Sequence, residues 1–242
     1  MGDVDRMVTC LTEERGRLDV VVKGIRKKES KLQASVQPLM LLELYVIAQR
    51  RYTLGGSVIL NSFPALRESL RLQWTVLHIN ELLCKMTRPE HKDPGIFALY
   101  LHALETLQKN PNIAPERLIF FTLAFDLKFL ELSGHRPVLY PEDHLQEEDF
   151  FALHSEGLMP LSQSKQRPTV RISKPLRSLL RFALSEPLPD VLAVALTLTQ
   201  ARQLAFCSSV LMEDHNVLPF ATDAFARELG LLSKRTEKFD IL

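Results

Sequence analysis

Between Arg15 and Lys31 the chain carries seven basic side chains (15, 17, 23, 26, 27, 28 and 31) against two acidic ones (19 and 29), a local charge of +5. Five of those cations, Lys23, Arg26, Lys27, Lys28 and Lys31, fall within nine residues and lie between two apolar runs. Clustered Lys and Arg suit one chemistry above others: they neutralise phosphates and release the counterions condensed on a polyanion, without reading base sequence. Taken alone, such a loop is more often a solvated hairpin tip. The charge distribution favours the sharper reading. Residues 1–60 hold ten basic and seven acidic side chains (+3), so the remaining 20 basic and 22 acidic residues sum to −2 and the chain to +1. A second stretch, "SKQRPTVRISKPLRSLLRF", holds Lys165, Arg167, Arg171, Lys174, Arg177 and Arg181 with no acidic residue. It reads equally as a phosphate track or as a solvated helix face.

Aromatic residues near the first cluster are few: Tyr45, Tyr52 and Phe63. Tyr52, beside Arg50 and Arg51, is the one best placed to stack a base, with core or rim packing the weightier alternative. The scarcity argues for backbone tracking over base stacking.

Other chemistries find little support. There is no GxSxG, P-loop, GxGxxG or HExxH pattern, so no catalytic residue is assigned and the chain is not read as an enzyme. His135, His144 and His154 are spaced by nine and ten, which suits no standard zinc site. They sit beside Glu142, Asp143, Glu147, Glu148 and Asp149, and a solvated acidic loop is the expected outcome; no metal and no cofactor are assigned. The three cysteines, Cys10, Cys84 and Cys207, are far apart and each falls in an apolar pattern, so all three are expected in the core and a reducing cytoplasm is implied. The N-terminal residues have no apolar signal region, and the most apolar run, residues 191–198, is too short to span a bilayer.

These side chains need elements to hold them. Residues 4–60 read as four short strands: two runs joined through Gly16, then "LMLLELYVIA", then "YTLGGSVILNSF" with a Gly55-Gly56 turn or bulge. The basic cluster falls between the second and third. From Pro64 the period changes. Leu66, Leu70, Trp74, Leu77 and Leu82 predict an amphipathic helix, and two further helices start near Pro94 and Pro115, with Gly134 a C-cap. Residues 136–170 read as irregular, with a short helix possible over "EEDFFALHSEG". Helices follow over 173–185, 189–213 and 219–230. The resulting fold class is α+β: a small N-terminal β-barrel over 1–63, binding nucleic acid, then an all-helical domain over 64–242.

The same residues carry a family resemblance. Gly2, Asp3, Leu11, Thr12, Glu14, Gly16, Lys23, Gly24, Arg26, Ser30, Leu32, Gln37 and Pro38 match the "LT.E.G … KG.R…S.L….QP" pattern of the N-terminal domain of RecO, the bacterial recombination mediator. "INELLCKM" resembles that family's first long helix, and "ERLIFFTLAFDLKFLELSGHRP" its helix leading into a Gly-containing turn. The resemblance implies an OB-fold barrel and a helical domain. It implies binding of single- and double-stranded DNA, annealing of complementary strands, and help in loading recombinase on strands covered by single-strand-binding protein. It further implies RecR and the C-terminal tail of single-strand-binding protein as partners, a cytoplasmic, nucleoid-associated setting, and no membrane. On this reading the basic cluster, with Arg50 and Arg51, faces DNA. The alternative is an interaction scaffold with little DNA binding of its own. Two departures from the family pattern stand out. The four-cysteine zinc site that many members carry is absent, and the sequence starts almost at the Gly-acidic pair that a strand usually precedes, so two readings stand: the barrel lacks its first strand, or the true start lies upstream of Met1.

Overall fold

The computed structural model describes residues 4–26, 36–139, 150–154, 156–160, 170–212, 215 and 220–229. Four strands form the first sheet: β1 (Arg6–Thr12), β2 (Gly16–Val22), β3 (Leu41–Ala48) and β4 (Tyr52–Asn61), in the order β1-β2-β4-β3. β1 and β2 are an antiparallel hairpin. Its turn needs the positive φ of Gly16 (65°), and the Thr12 hydroxyl braces it by donating to the Gly16 carbonyl and accepting from Arg15 N–H. β2 runs parallel to β4 through Val20↔Tyr52 and Val21↔Thr53, while β3 is antiparallel to β4 with irregularities at Leu41/Leu42 and Tyr45/Val46.

Alternation sorts these strands into two faces. Leu18, Val20, Val22 and Leu54 point inward, join Ile25 and Val36, and gather half-buried Val8, Leu44, Val46 and Tyr52 around them. Each fully buried Val or Leu stabilises by about 1.5–3 kcal/mol. Among the described residues the sheet is open, with β1 and β3 as its edges, and does not close into the expected barrel. The α+β class holds: a β-rich N-terminal part precedes a mainly helical remainder.

Helices α1 (Pro64–Glu68), α2 (Leu70–Met86), α3 (Pro94–Lys109) and α4 (Pro115–Leu132) follow. The single helix expected through Leu66 and Leu82 is broken at Ser69, which is extended (φ −106°, ψ 117°). That break resets the helical phase. Leu70 and Leu77 emerge exposed, and the buried stripe of α2 runs instead through Leu72, Trp74, Val76, Ile79, Leu82 and Leu83. Asp93 caps α3 by accepting from Ile96 N–H at 3.0 Å. α4 is closed as anticipated at Gly134 (φ 81°), with Gly134 N–H on Glu131 O and His135 N–H on Leu130 O.

The 136–170 stretch differs from expectation. A second sheet lies here, β5 (Phe150–His154), β6 (Gly157–Pro160) and β7 (Val170–Ser173), in the order β6-β5-β7. "FFALH" is a strand because it pairs on both sides, Leu153 with Leu158 and with Val170; cross-strand pairing outweighs a weak helical pattern. The remainder is therefore not all-helical. Next come α5 (Lys174–Ser185), α6 (Leu188–Ala193), α7 (Leu198–Leu211) and α8 (Thr222–Glu228). The helix expected over 189–213 is two, because Thr197 and Gln200 form a capping box that starts α7 afresh.

The chain divides into two compact units. One comprises Met1–Ser69 and Thr87–Gln108, the other Leu70–Met86 and Lys109–Leu242. In the second unit α4 is central: every residue from Leu118 to Leu127 is buried, as expected of a helix enclosed on all sides, and α2, α5, α6 and α7 pack on it. Among the described residues no helix is long and apolar enough to cross a membrane.

Candidate nucleic-acid interface

The first unit holds the basic turn that leaves β2. Gly24 (φ 65°) donates to Asp5 Oδ1 at 3.0 Å and Arg26 N–H to Val4 O at 3.1 Å, so residues 23–26 are stapled to the start of β1. Lys23 and Arg26 are exposed on that turn. Lys27, Lys28 and Lys31 lie outside the described residues. Arg50 and Arg51 are exposed in the β3–β4 turn.

Of the aromatic residues, Tyr52 takes the core-or-rim role that outweighed stacking in its sequence reading. Tyr52 packs against the core cluster and its hydroxyl donates to Glu90 at 2.8 Å, so it is a rim residue, not a stacking surface. Phe63 is fully buried. Tyr45 is 57% exposed, on the same outer face of the sheet as exposed Ile47 and Val58. The sequence did carry a signal for it: Glu43, two residues earlier on β3, marks the odd-numbered positions as the solvated face.

The second basic stretch lies in the second unit. Lys165 and Arg167 are outside the described residues. Arg171 and Lys174 are exposed and Arg181 is half-buried. Arg177 departs from the phosphate-track reading, because it is only 1% exposed. It shares the inward stripe of α5 with Leu176, Leu180, Ala183 and Leu184, at helical spacing.

The second unit also contains a buried polar group that sequence reasoning missed. His78 Nε2 lies 3.2 and 3.3 Å from the Asp126 carboxylate oxygens, and the Ser208 hydroxyl donates to Asp126 Oδ2 at 2.7 Å. Burial opposes protonation of His78. The Asp126 charge and hydrogen bond outweigh it, aided by Asp223 and Glu81, and raise the His78 pKa above its ordinary value. Serine, histidine and aspartate meet here, but not as a nucleophilic triad. Ser208 donates to the carboxylate, not to the imidazole, so no base faces the hydroxyl. Nearby, Glu81 accepts from Ala221 N–H, Thr222 N–H and the Thr222 hydroxyl, capping α8, and pairs with Lys85 at 2.9 Å.

Two of the cysteines match their expected burial in part and one does not. Cys207 is buried and its thiol is pushed up to about 12 by desolvation; Cys10 is half-buried and raised to about 11 by desolvation and then Asp19. Cys84 is exposed, on the outer side of α2. His154 is buried in β5, His135 is exposed with its ring 4.6 Å from that of His215, and His144 lies outside the described residues. Among the described residues no three His, Cys, Asp or Glu side chains are grouped to hold a metal.

Comparison with known proteins covers both units. The family model described as "Recombination protein O N terminal" matches residues 1–57, and "Recombination protein O C terminal" matches residues 67–208. The chain is 33% identical over 141 residues to the DNA repair protein RecO of Myxococcus xanthus (56% of this chain, 54% of the relative). It is 26% identical over 196 residues to that of Dehalococcoides mccartyi (78% and 76%), and 34% identical over 139 residues to that of Mannheimia succiniciproducens (55% and 57%). The chain thus spans from about half to three-quarters of the length of these relatives. With the N- and C-terminal family models matched in order along it, the chain belongs to the RecO family.

Proposed function

We propose that this protein acts in DNA repair and homologous recombination as a non-enzymatic mediator. It binds single- and double-stranded DNA through phosphates, anneals complementary strands, and assists recombinase loading on strands covered by single-strand-binding protein. The observation that carries the reading is the match of both halves to the RecO family together with the +5 charge between Arg15 and Lys31. On this reading residues 1–63 carry the main nucleic-acid contact, and RecR and the C-terminal tail of single-strand-binding protein are the partner proteins. Arg26, Lys27, Lys28 and Lys31 contact phosphates, with Lys23, Arg50 and Arg51 alongside; Arg171, Lys174 and Arg181, with Lys165 and Arg167, form a second contact. The setting is the bacterial cytoplasm, in association with the nucleoid.

A salt titration of single-strand binding tests it. Each phosphate contact adds about 0.7 to the slope of log affinity against log salt. Changing Lys27, Lys28 and Lys31 together to Ala lowers that slope by roughly 2, weakens binding alike across unrelated sequences, and slows annealing in parallel. An unchanged slope in a folded triple variant sinks the assignment and moves the site to residues 165–181.

A further inference from the structure

We infer that the outer face of the first sheet is a base-stacking platform centred on Tyr45, which makes this site select unpaired strands over duplex; the inference rests on the proposal that this unit binds nucleic acid. β3 alternates, with Leu44 and Val46 against the core and Glu43, Tyr45 and Ile47 outward. Across the ladder from Tyr45 stands Gly56, and a Cβ built there would lie 3.8 Å from Tyr45 Cδ2. At neighbouring Gly55 a built Cβ would lie 3.4 Å from Ile47 Cδ1. Two consecutive glycines leave this flank bare, so among the described residues no side chain stands directly across the ladder from the phenol ring. Tyr45 Oη donates to Glu43 Oε1 at 3.3 Å, which fixes the ring's tilt by its edge and leaves its face open.

The surroundings suit a single strand. Tyr45, Ile47 and Val58 are 57%, 51% and 48% exposed, an apolar surface that a base can cover. Cations border it on two sides. The last rungs of β2 on β4 are Val20↔Tyr52 and Val21↔Thr53, which places the turn bearing Lys23 level with Gly55 and Gly56, across the sheet from Tyr45. Arg50 and Arg51 stand in the turn past Ala48, where β3 ends three residues or about 10 Å along the strand from Tyr45. An extended strand laid on this face meets the π-surface of the ring with cations beside and beyond it. A duplex meets only the cations, because its base faces are already stacked.

The experiment uses the full chain and two labelled oligonucleotides of equal length, one of thymidylate and one abasic, which share phosphates and differ only in bases. The wild type binds the thymidylate strand more tightly than the abasic one. Tyr45→Ala weakens thymidylate binding about tenfold, within the range for one stacked base, and leaves both the abasic affinity and the salt slope unchanged. Tyr45→Phe keeps wild-type affinity, which separates stacking from loss of the hydroxyl or of the fold. Equal wild-type affinity for the two strands, or a Tyr45→Ala loss of the same size on both, overturns the inference while leaving a phosphate-binding site standing. No binding of either strand by the wild type overturns it together with the functional reading. A Tyr45→Ala variant that binds DNA normally but changes its sedimentation mass reassigns this face to a protein partner.

Discussion

Asp126→Asn isolates the buried polar group in the second unit, because it removes a charge and keeps the shape. In the wild type His78 carries a raised pKa, so it contributes stability that is fully present below its ordinary value near 6.5 and is lost as pH rises through the raised folded value. The groups facing it are Asp126 on α4, Asp223 on α8 and Glu81 on α2. Near pH 6 the substitution leaves an imidazolium without its buried counter-charge and weakens the Ser208 bond. Hydrogen bonds to charged groups contribute about 1.5–3 kcal/mol and neutral ones about 0.5–1.5, so the combined cost is about 3 kcal/mol. Once the pH has risen past the raised folded value the imidazole is neutral and the introduced amide replaces most of what is lost, so the cost falls to about 1 kcal/mol. With a slope of about 2 kcal/mol/M in urea, the unfolding midpoint drops by about 1.5 M near pH 6 and by about 0.5 M at a pH above that folded value. Trp74 is a ready reporter: it is the sole tryptophan, 2% exposed, with its ring 6.1 Å from that of His78. Equal midpoint shifts at the two pH values, read from Trp74 emission, refute the claim that His78 is held charged by Asp126.

Other perturbations have equally definite outcomes. Glu81→Ala removes the acceptor for Ala221 N–H, Thr222 N–H and the Thr222 hydroxyl, and costs about 1–2 kcal/mol as a lost cap; hydrogen exchange then shows faster exchange confined to α8. Gly16→Ala is more damaging, because the residue sits at φ 65° and its new Cβ meets the His91 carbonyl oxygen; thermal unfolding registers a loss of at least about 1–3 kcal/mol. A thiol reagent at neutral pH labels exposed Cys84 first, while Cys207, buried and with its thiol pushed up to about 12, is labelled only on unfolding. Peptide mapping before and after urea distinguishes the two.

The local elements were largely legible in the sequence, and what needed long-range partners was not. β1 to β4 announced themselves through alternation and Gly16, and α3 and α4 through Pro94, Pro115 and Gly134. β5 hid because "FFALH" has no strand signal stronger than its helical one until β6 and β7 pair with it. The start of α7 was readable from Thr197 and Gln200, three apart, and the apolar run through it obscured the capping box. For the site, the positive charge was plain, but the choice among Tyr45, Tyr52 and Phe63 depended on which face each strand presents. Tyr52 turns to the core and Tyr45 away from it. Arg177 illustrates the reverse error: charge suggested a solvated position, whereas its helical phase with Leu176 and Leu180 takes it inside. Asp126 lies 48 residues from His78 and 82 from Ser208, and no local pattern brings the three together.

The interleaving of the two units bears on the order of events during synthesis. The first unit leaves the chain at Ser69 and resumes at Thr87, and it is finished only at Gln108. Its later part is integral: Glu90 N–H bonds Arg17 O at 2.9 Å, and Gln108 accepts from Ala65 N–H at 3.0 Å. The sheet with its basic turn therefore emerges first and waits for roughly 40 more residues, about 2–8 s at ordinary elongation rates. During that interval Glu90 N–H has not yet bonded Arg17 O and the Gln108 acceptor for Ala65 N–H is still unmade, so the first unit is incomplete. A ribosome that slows between residues 69 and 108 lengthens the wait.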